Sequence, residues 1–154
     1  MVKFIRKLGY IYGGILFLML ILGGLYQLIF YSYIENRVET LKEVAGRIEF
    51  VQAHKHSEMK IEGNFHIEKK IGFNVYVDEQ HEIILSQLIN QFKKKGWVIS
   101  KVNRRYYGFK AYNDKYVFIA SPIVKKSKIT GEDEFTNEWA VIFYYNNFFA
   151  RSNI

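Results

Sequence analysis

Three groups of residues in this 154-residue chain are of types that do chemistry. His54 and His56 form a His-x-His pair. A metal site needs further donors at settled spacing. His66 and His81 are the other two histidines, and nothing in the sequence brings them to the first pair. A solvated loop is the plainer expectation. Asp78, Glu79, His81 and Glu82 gather acids and an imidazole where a strand gives way to a helix, a place from which catalytic groups can work. An N-cap role for Asp78 already accounts for that residue. His81-Glu82 is not half of a zinc-binding His-Glu-x-x-His, because position 85 is Leu. There is also no Gly-x-Ser-x-Gly elbow and no Gly-rich phosphate loop. The absence of cysteine excludes thiol catalysis, Cys-based zinc sites and haem attachment through Cys. Neither an enzyme nor a bound cofactor or metal is expected.

The third group is the run KVNRRYYGFK from Lys101 to Lys110. Arg104, Arg105 and Lys110 surround Tyr106, Tyr107 and Phe109. Arginine and aromatic side chains are the usual composition of binding hot spots. They can also stack nucleobases, but the compartment argued below does not suit nucleic acid. The plain alternative is a half-buried strand and turn with solvated charges. The segment WAVIFYY shows a related oddity, for both of its alternating faces are apolar. Trp139, Val141, Phe143 and Tyr145 lie on one, and Ala140, Ile142 and Tyr144 on the other. A single helix covers one face of a small sheet, so the second is expected to meet either the stalk or another protein. Trp139, Phe143 and Tyr145 therefore join the basic–aromatic run as a candidate partner surface.

What must position these residues is set by the N-terminal third. Leu8 to Ile34 carries no formal charge, with Lys7 before it and Glu35 after it. As a helix it would reach roughly 40 Å, more than the ~30 Å hydrocarbon core of a bilayer. A transmembrane helix is expected. A buried core helix would be shorter and show a polar face. A cleaved signal would have a shorter apolar run and a small-residue cleavage site. Lys3, Arg6 and Lys7 crowd the short tail without an acid, whereas Arg37 and Lys42 are mixed with Glu35, Glu39 and Glu43. That bias favours a cytoplasmic N-terminus and an exported C-terminal part. Tyr10, Tyr12, Tyr26, Phe30, Tyr31 and Tyr33 fall where aromatic belts sit. Gly9, Gly13 and Gly24 share one helix face and could pack on another membrane helix.

Beyond the bilayer, Ile34, Val38, Leu41, Ala45 and Ile48 recur at steps of four and three. A stalk helix to about residue 50 follows, its stripe packing on its own domain or forming a short coiled coil with a second copy. Strands are expected over Met59–Ile67 and Ile71–Val77. A helix capped by Asp78 buries Ile84, Leu85, Leu88, Ile89 and Phe92, and stops at Lys93, Lys94, Lys95 and Gly96. Strands follow at Trp97–Val102, Tyr106–Tyr112, Tyr116–Ser121 (ended by Pro122) and Trp139–Tyr145. A tight turn is expected at Asn113-Asp114, and an exposed loop over Lys125–Glu134 around Gly131.

The expected architecture is α+β: an N-terminal membrane helix continuing into a stalk, then an antiparallel sheet of five or six strands with one helix across it. The expected divisions are a tail (1–7), a membrane helix (8–34), a stalk and linker (35–58) and an exported domain (59–154). Of the net charge of +7, the tail supplies three, leaving a mildly basic +4. Small exported domains often rely on disulfides; this one must rely on its core. None of the ten Asn begins a glycosylation sequon, which suits a bacterial setting. The expected role is a single-pass inner-membrane protein holding a non-catalytic binding domain outside the cytoplasm, such as an immunity or inhibitor protein against a periplasmic toxin. The alternative is an accessory subunit of a secretion, envelope or transport assembly. The expected partners are the lipid bilayer and another protein. The glycine face and the stalk stripe also allow a homo-oligomer.

Overall fold

The computed structural model describes residues 2–62, 69–127 and 133–146. Helix α1, Val2–Gly46, is one unbroken helix of 45 residues. It passes through two environments. Its span Gly9–Tyr26 is apolar, long enough to cross a membrane, and has none of its residues buried. Its C-terminal third buries Val38, Leu41 and Ala45 in the domain core. The helix ends at Gly46, where Arg47 N–H donates to Val44 O and Ile48 N–H to Ala45 O. A short second helix, α2 (Glu49–Ala53), then carries Phe50 and Val51 into the same core. The stalk is therefore bent rather than continuous to residue 50, because the chain turns at Arg47 and Ile48 to keep apolar side chains on the sheet.

Among the described residues the sheet has seven antiparallel strands: β1 (Lys55–His56), β2 (Lys60–Glu62), β3 (Lys70–Tyr76), β4 (Val98–Asn103), β5 (Gly108–Tyr112), β6 (Tyr116–Lys126) and β7 (Asp133–Tyr145). The order is β1-β3-β7-β6-β5-β4, with β2 also on β3. β1 and β2 lie along successive parts of the β3 edge; of the expected strand Met59–Ile67 the described residues form Lys60–Glu62, and Lys55–His56, expected in a solvated loop, form a further short strand. Phe65 and Ile67 lie outside the described residues, as do the centre of the expected loop around Gly131 and the whole tail after Asn146. β7 is central and pairs Ile71 with Phe143, Phe73 with Val141 and Val75 with Trp139.

Pro122 does not end β6. It pairs with Trp139, and the register shifts between Pro122 and Val124. A bulge is where a strand tolerates a residue that cannot donate to the ladder. The strand then runs on to Lys126, so Lys125 and Glu134 at the ends of the expected loop are paired residues.

Helix α3, His81–Lys94, follows β3. Asp78 does not cap it. Gln80 is the N-cap, without a side-chain bond, and its carbonyl accepts from Ile83 and Ile84 N–H. The other end matches the expected stop. Trp97 N–H donates to Phe92 O and Gly96 N–H to Lys93 O, with Gly96 at φ +75° and the Phe92 and Trp97 rings 4.9 Å apart. Those paired bonds and that apolar contact make a Schellman cap, which needs the left-handed backbone that glycine adopts without strain.

The stalk and α3 lie on the same face of the sheet. Val38, Leu41, Phe50, Ile84, Leu88 and Phe92 form one cluster with Ile71, Phe73, Val75, Phe109, Phe118, Trp139, Val141 and Phe143. The stripe is thus used inside its own domain and is not free for a coiled coil with a second copy. The opposite face carries a smaller cluster of Val117 and Tyr144, with Tyr112, Ile119 and Ile142 against it. Neither α1 nor α3 belongs to that cluster.

Candidate functional site

The two ends of the sheet differ in what they hold. At one end Tyr145 donates its hydroxyl to Arg37 O (3.1 Å), and the Arg37 guanidinium lies 4.1 Å from the Tyr145 ring centroid. Asn146 N–H reaches Lys115 O at 2.8 Å, which places the β5–β6 turn at this same end. That turn forms at the expected Asn113-Asp114, because Asn113 Oδ1 accepts from Lys115 and Tyr116 N–H. The β4–β5 turn, Arg104–Tyr107, is therefore at the far end, away from the apolar part of α1.

At that far end Asn103 Oδ1 accepts from Arg105 N–H (3.1 Å) and Tyr106 N–H (3.2 Å). This local bond competes with the ladder. It pulls Tyr106 and Tyr107 out of the strand in which they were expected. Tyr107 takes φ +52°, the left-handed region that a bulky residue adopts only when its contacts hold it there. Its ring lies 5.3 Å from His81 and 5.2 Å from Phe135, and its hydroxyl donates to Glu82 Oε1 at 2.8 Å. The bond to anionic Glu82 pushes the phenol pKa up.

The expected partner surface is therefore divided. Arg104, Arg105 and Tyr106 are exposed, with the Arg105 guanidinium 5.3 Å from the Tyr106 ring centroid. Tyr107 and Lys110 are half-buried. Phe109, Trp139 and Phe143 belong to the core and leave that surface, with Trp139 and Phe143 fully buried. Tyr145 is half-buried at the opposite end, against Arg37. The alternation of β7 is real, but the face of Trp139 and Phe143 is the one that both the stalk and α3 cover. Nothing lies within 4 Å of a Cβ built on Gly9, Gly13 or Gly24.

The acid–histidine cluster is likewise taken apart. Glu79 Oε2 lies 3.3 Å from His54 Nε2, while His54 Nδ1 lies 2.8 Å from Phe50 O. Glu82 serves Tyr107. The His81 ring sits among Tyr107, Phe135 and Trp139, and its Nδ1 has no hydrogen-bond partner among the described residues. Glu79 and Glu82 are thus each occupied by a structural contact. Among the described residues no three His, Cys, Asp or Glu side chains stand close enough to hold a metal ion.

Sequence reasoning missed the His54–Glu79 link, which ties α2 to the turn before α3. Backbone hydrogen bonds, with help from His54, hold the Glu79 carboxyl below its ordinary value of 4.5. A depressed carboxylate stabilises the fold above the unfolded pKa and loses that contribution as pH falls through the folded value. The melting temperature of the intact chain is thus expected to exceed that of Glu79→Gln slightly at pH 6. The gap should close on acidification below about pH 4. A gap independent of pH would contradict the link.

No family model, curated protein or solved structure matches the chain. The surface itself must carry the functional reading.

One further charged feature was not legible. Lys101 of β4 stands directly opposite Lys110 of β5. Like charges so placed destabilise a sheet. Burial, then Lys101 and Lys70, lower the Lys110 pKa. None of these lysines takes part in an ion pair among the described residues.

Proposed function

We propose that the chain is a single-pass membrane protein of the bacterial inner membrane whose α+β domain stands outside the cytoplasm and engages another protein. The observation that carries this reading is the divided environment of α1. One helix leaves its apolar span Gly9–Tyr26 wholly uncovered and buries its last turns in the domain. So much uncovered apolar surface is costly in water and neutral in lipid. The basic residues ahead of the span support a cytoplasmic N-terminus. With lipid around the apolar span, the Arg104–Tyr107 turn is at the sheet end remote from the bilayer, where a second protein can reach it. In its most specific form the reading is an immunity or inhibitor protein against a toxin arriving in the periplasm.

The test joins topology to capture. Alkaline carbonate is expected to leave the intact chain in the membrane pellet, and protease added to sealed spheroplasts to remove its C-terminal domain. The detergent-solubilised chain used as bait should then retain a stable partner. A chain released by carbonate, a domain shielded from protease, or a bait that retains nothing would each count against the reading.

An accessory subunit of a larger membrane assembly is the second reading, and the shared helix face of Gly9, Gly13 and Gly24 on the uncovered span supports it. Replacing all three by Leu should dissolve such an assembly, because close helix approach needs small residues. A toxin-binding domain should keep its affinity in the same variant.

A further inference from the structure

β4 is an edge strand: among the described residues it pairs with β5 alone. Beside it runs an open groove of about 770 Å³ between α3 and the strand. Ile89, Ile99 and Val102 line it together with Lys93, Lys101, Asn103 and Arg104, and among the described residues no acidic one does. An exposed edge offers backbone donors and acceptors to any extended chain laid along it. The charges decide which chain that is. A second copy presenting its own β4 would set one basic edge, with Lys101 and Arg104, against another, so self-pairing is opposed. Among the described residues the Lys101–Lys110 pair is left facing a like charge with no carboxylate in ion-pair contact with it.

We propose that the β4 edge and its basic groove take up an extended, acidic segment of a partner protein as an added strand. This rests on the protein-binding reading above and names its surface and the chemistry of the occupant. Side chains of an added strand alternate between the two sheet faces. Apolar residues would turn toward Ile89, Ile99 and Val102, and acidic ones toward Lys101 and Lys110. The occupant is thus an alternation of acidic and β-branched apolar residues. Its carboxylates supply the opposite charge that the paired lysines lack.

The test uses the full chain in neutral detergent micelles and fluorescein-labelled synthetic peptides, read by anisotropy. A peptide alternating Glu and Val should bind, and one alternating Lys and Val should not. Binding should weaken as salt rises. A Glu-Pro peptide of the same length keeps the charge but lacks every second backbone N–H and is held out of strand geometry by its prolines, and should fail to bind. The exposed double variant Lys101→Glu, Arg104→Glu should weaken the Glu-Val peptide by at least about tenfold, the scale of lost charge pairs at an interface. Lys110→Glu guards against a folding artefact. It turns the like pair into an opposite one, so it should raise the melting temperature and still weaken the peptide. Amide exchange over residues 98–103 should slow when the Glu-Val peptide binds. Equal binding of the Glu-Pro peptide, or affinity unchanged in both variants, overturns the proposal. A cellular partner that is captured and yet not displaced by the Glu-Val peptide overturns the edge assignment while leaving the binding role standing.

Discussion

A chain that begins at Met59 should fail to fold, whereas one that begins at Glu35 should fold cooperatively. The shorter chain lacks Val38, Leu41, Ala45, Ile48, Phe50 and Val51, all of them buried members of the main core. Burying a large aliphatic or aromatic side chain contributes about 1.5–3 kcal/mol. Losing the six costs on the order of 10 kcal/mol, comparable to the ~5–15 kcal/mol that holds a whole domain together. The loss also strips cover from Ile71, Val141 and Phe143, which share that cluster. Urea unfolding followed by near-ultraviolet circular dichroism separates the outcomes. The chain from Glu35 should give a sharp transition, and the chain from Met59 only a gradual drift. A single substitution, Leu41→Ala in the full chain, should cost about 2–5 kcal/mol by the same reasoning. A sharp transition with an unchanged midpoint in the chain from Met59 would mean that α1 and α2 contribute nothing to the fold.

The second large effect belongs to Trp139. It pairs with Val75 and Pro122 in the central strands and is fully buried. Its ring lies 6.1 Å from Phe50 and 5.9 Å from His81. It therefore fastens α2, the start of α3 and the sheet to one another. Trp139→Ala should cost about 3–5 kcal/mol, through lost transfer energy and the cavity left behind. Among the described residues the indole N–H has no hydrogen-bond partner, and such a buried donor carries a penalty of about 1–3 kcal/mol. Trp139→Phe shrinks the ring but removes that donor, so it should cost less than about 1.5 kcal/mol. The informative quantity is the ratio of the two losses in denaturant. Near-equal losses would mean that the indole ring as a whole, N–H included, is what the site requires.

How far residues announce their surroundings can be judged at particular positions. The α3 stop was legible because Lys93, Lys94 and Gly96 act through local backbone geometry. So was the Asn113 turn, where one side-chain oxygen meets two nearby N–H groups. The stripe of Val38, Leu41 and Ala45 was legible as a stripe. Its destination was not, since periodicity records that a face is apolar and not what lies against it. The same gap explains Trp139 and Phe143. Strand alternation puts them on one face, and only tertiary packing tells that this face is the one covered by both helices. Tyr106 and Tyr107 were misplaced into a strand because aromatic residues favour strands in general. The Asn103 side chain overrides that tendency locally. The His54–Glu79 contact and the Lys101–Lys110 pair join residues whose proximity depends on strand order and register, and no local pattern carries that.

Helix α1 has no joint between its uncovered span and its buried last turns. If the span Gly9–Tyr26 lies in lipid, as proposed above, span and domain share one heading, as a rudder shares its post. A hydrophobic stretch longer than the lipid is thick leans over to fit. Thinning the bilayer would swing the Arg104–Tyr107 tip sideways, and thickening it would bring the tip upright. The direction in which the domain faces its surroundings is then set by membrane thickness.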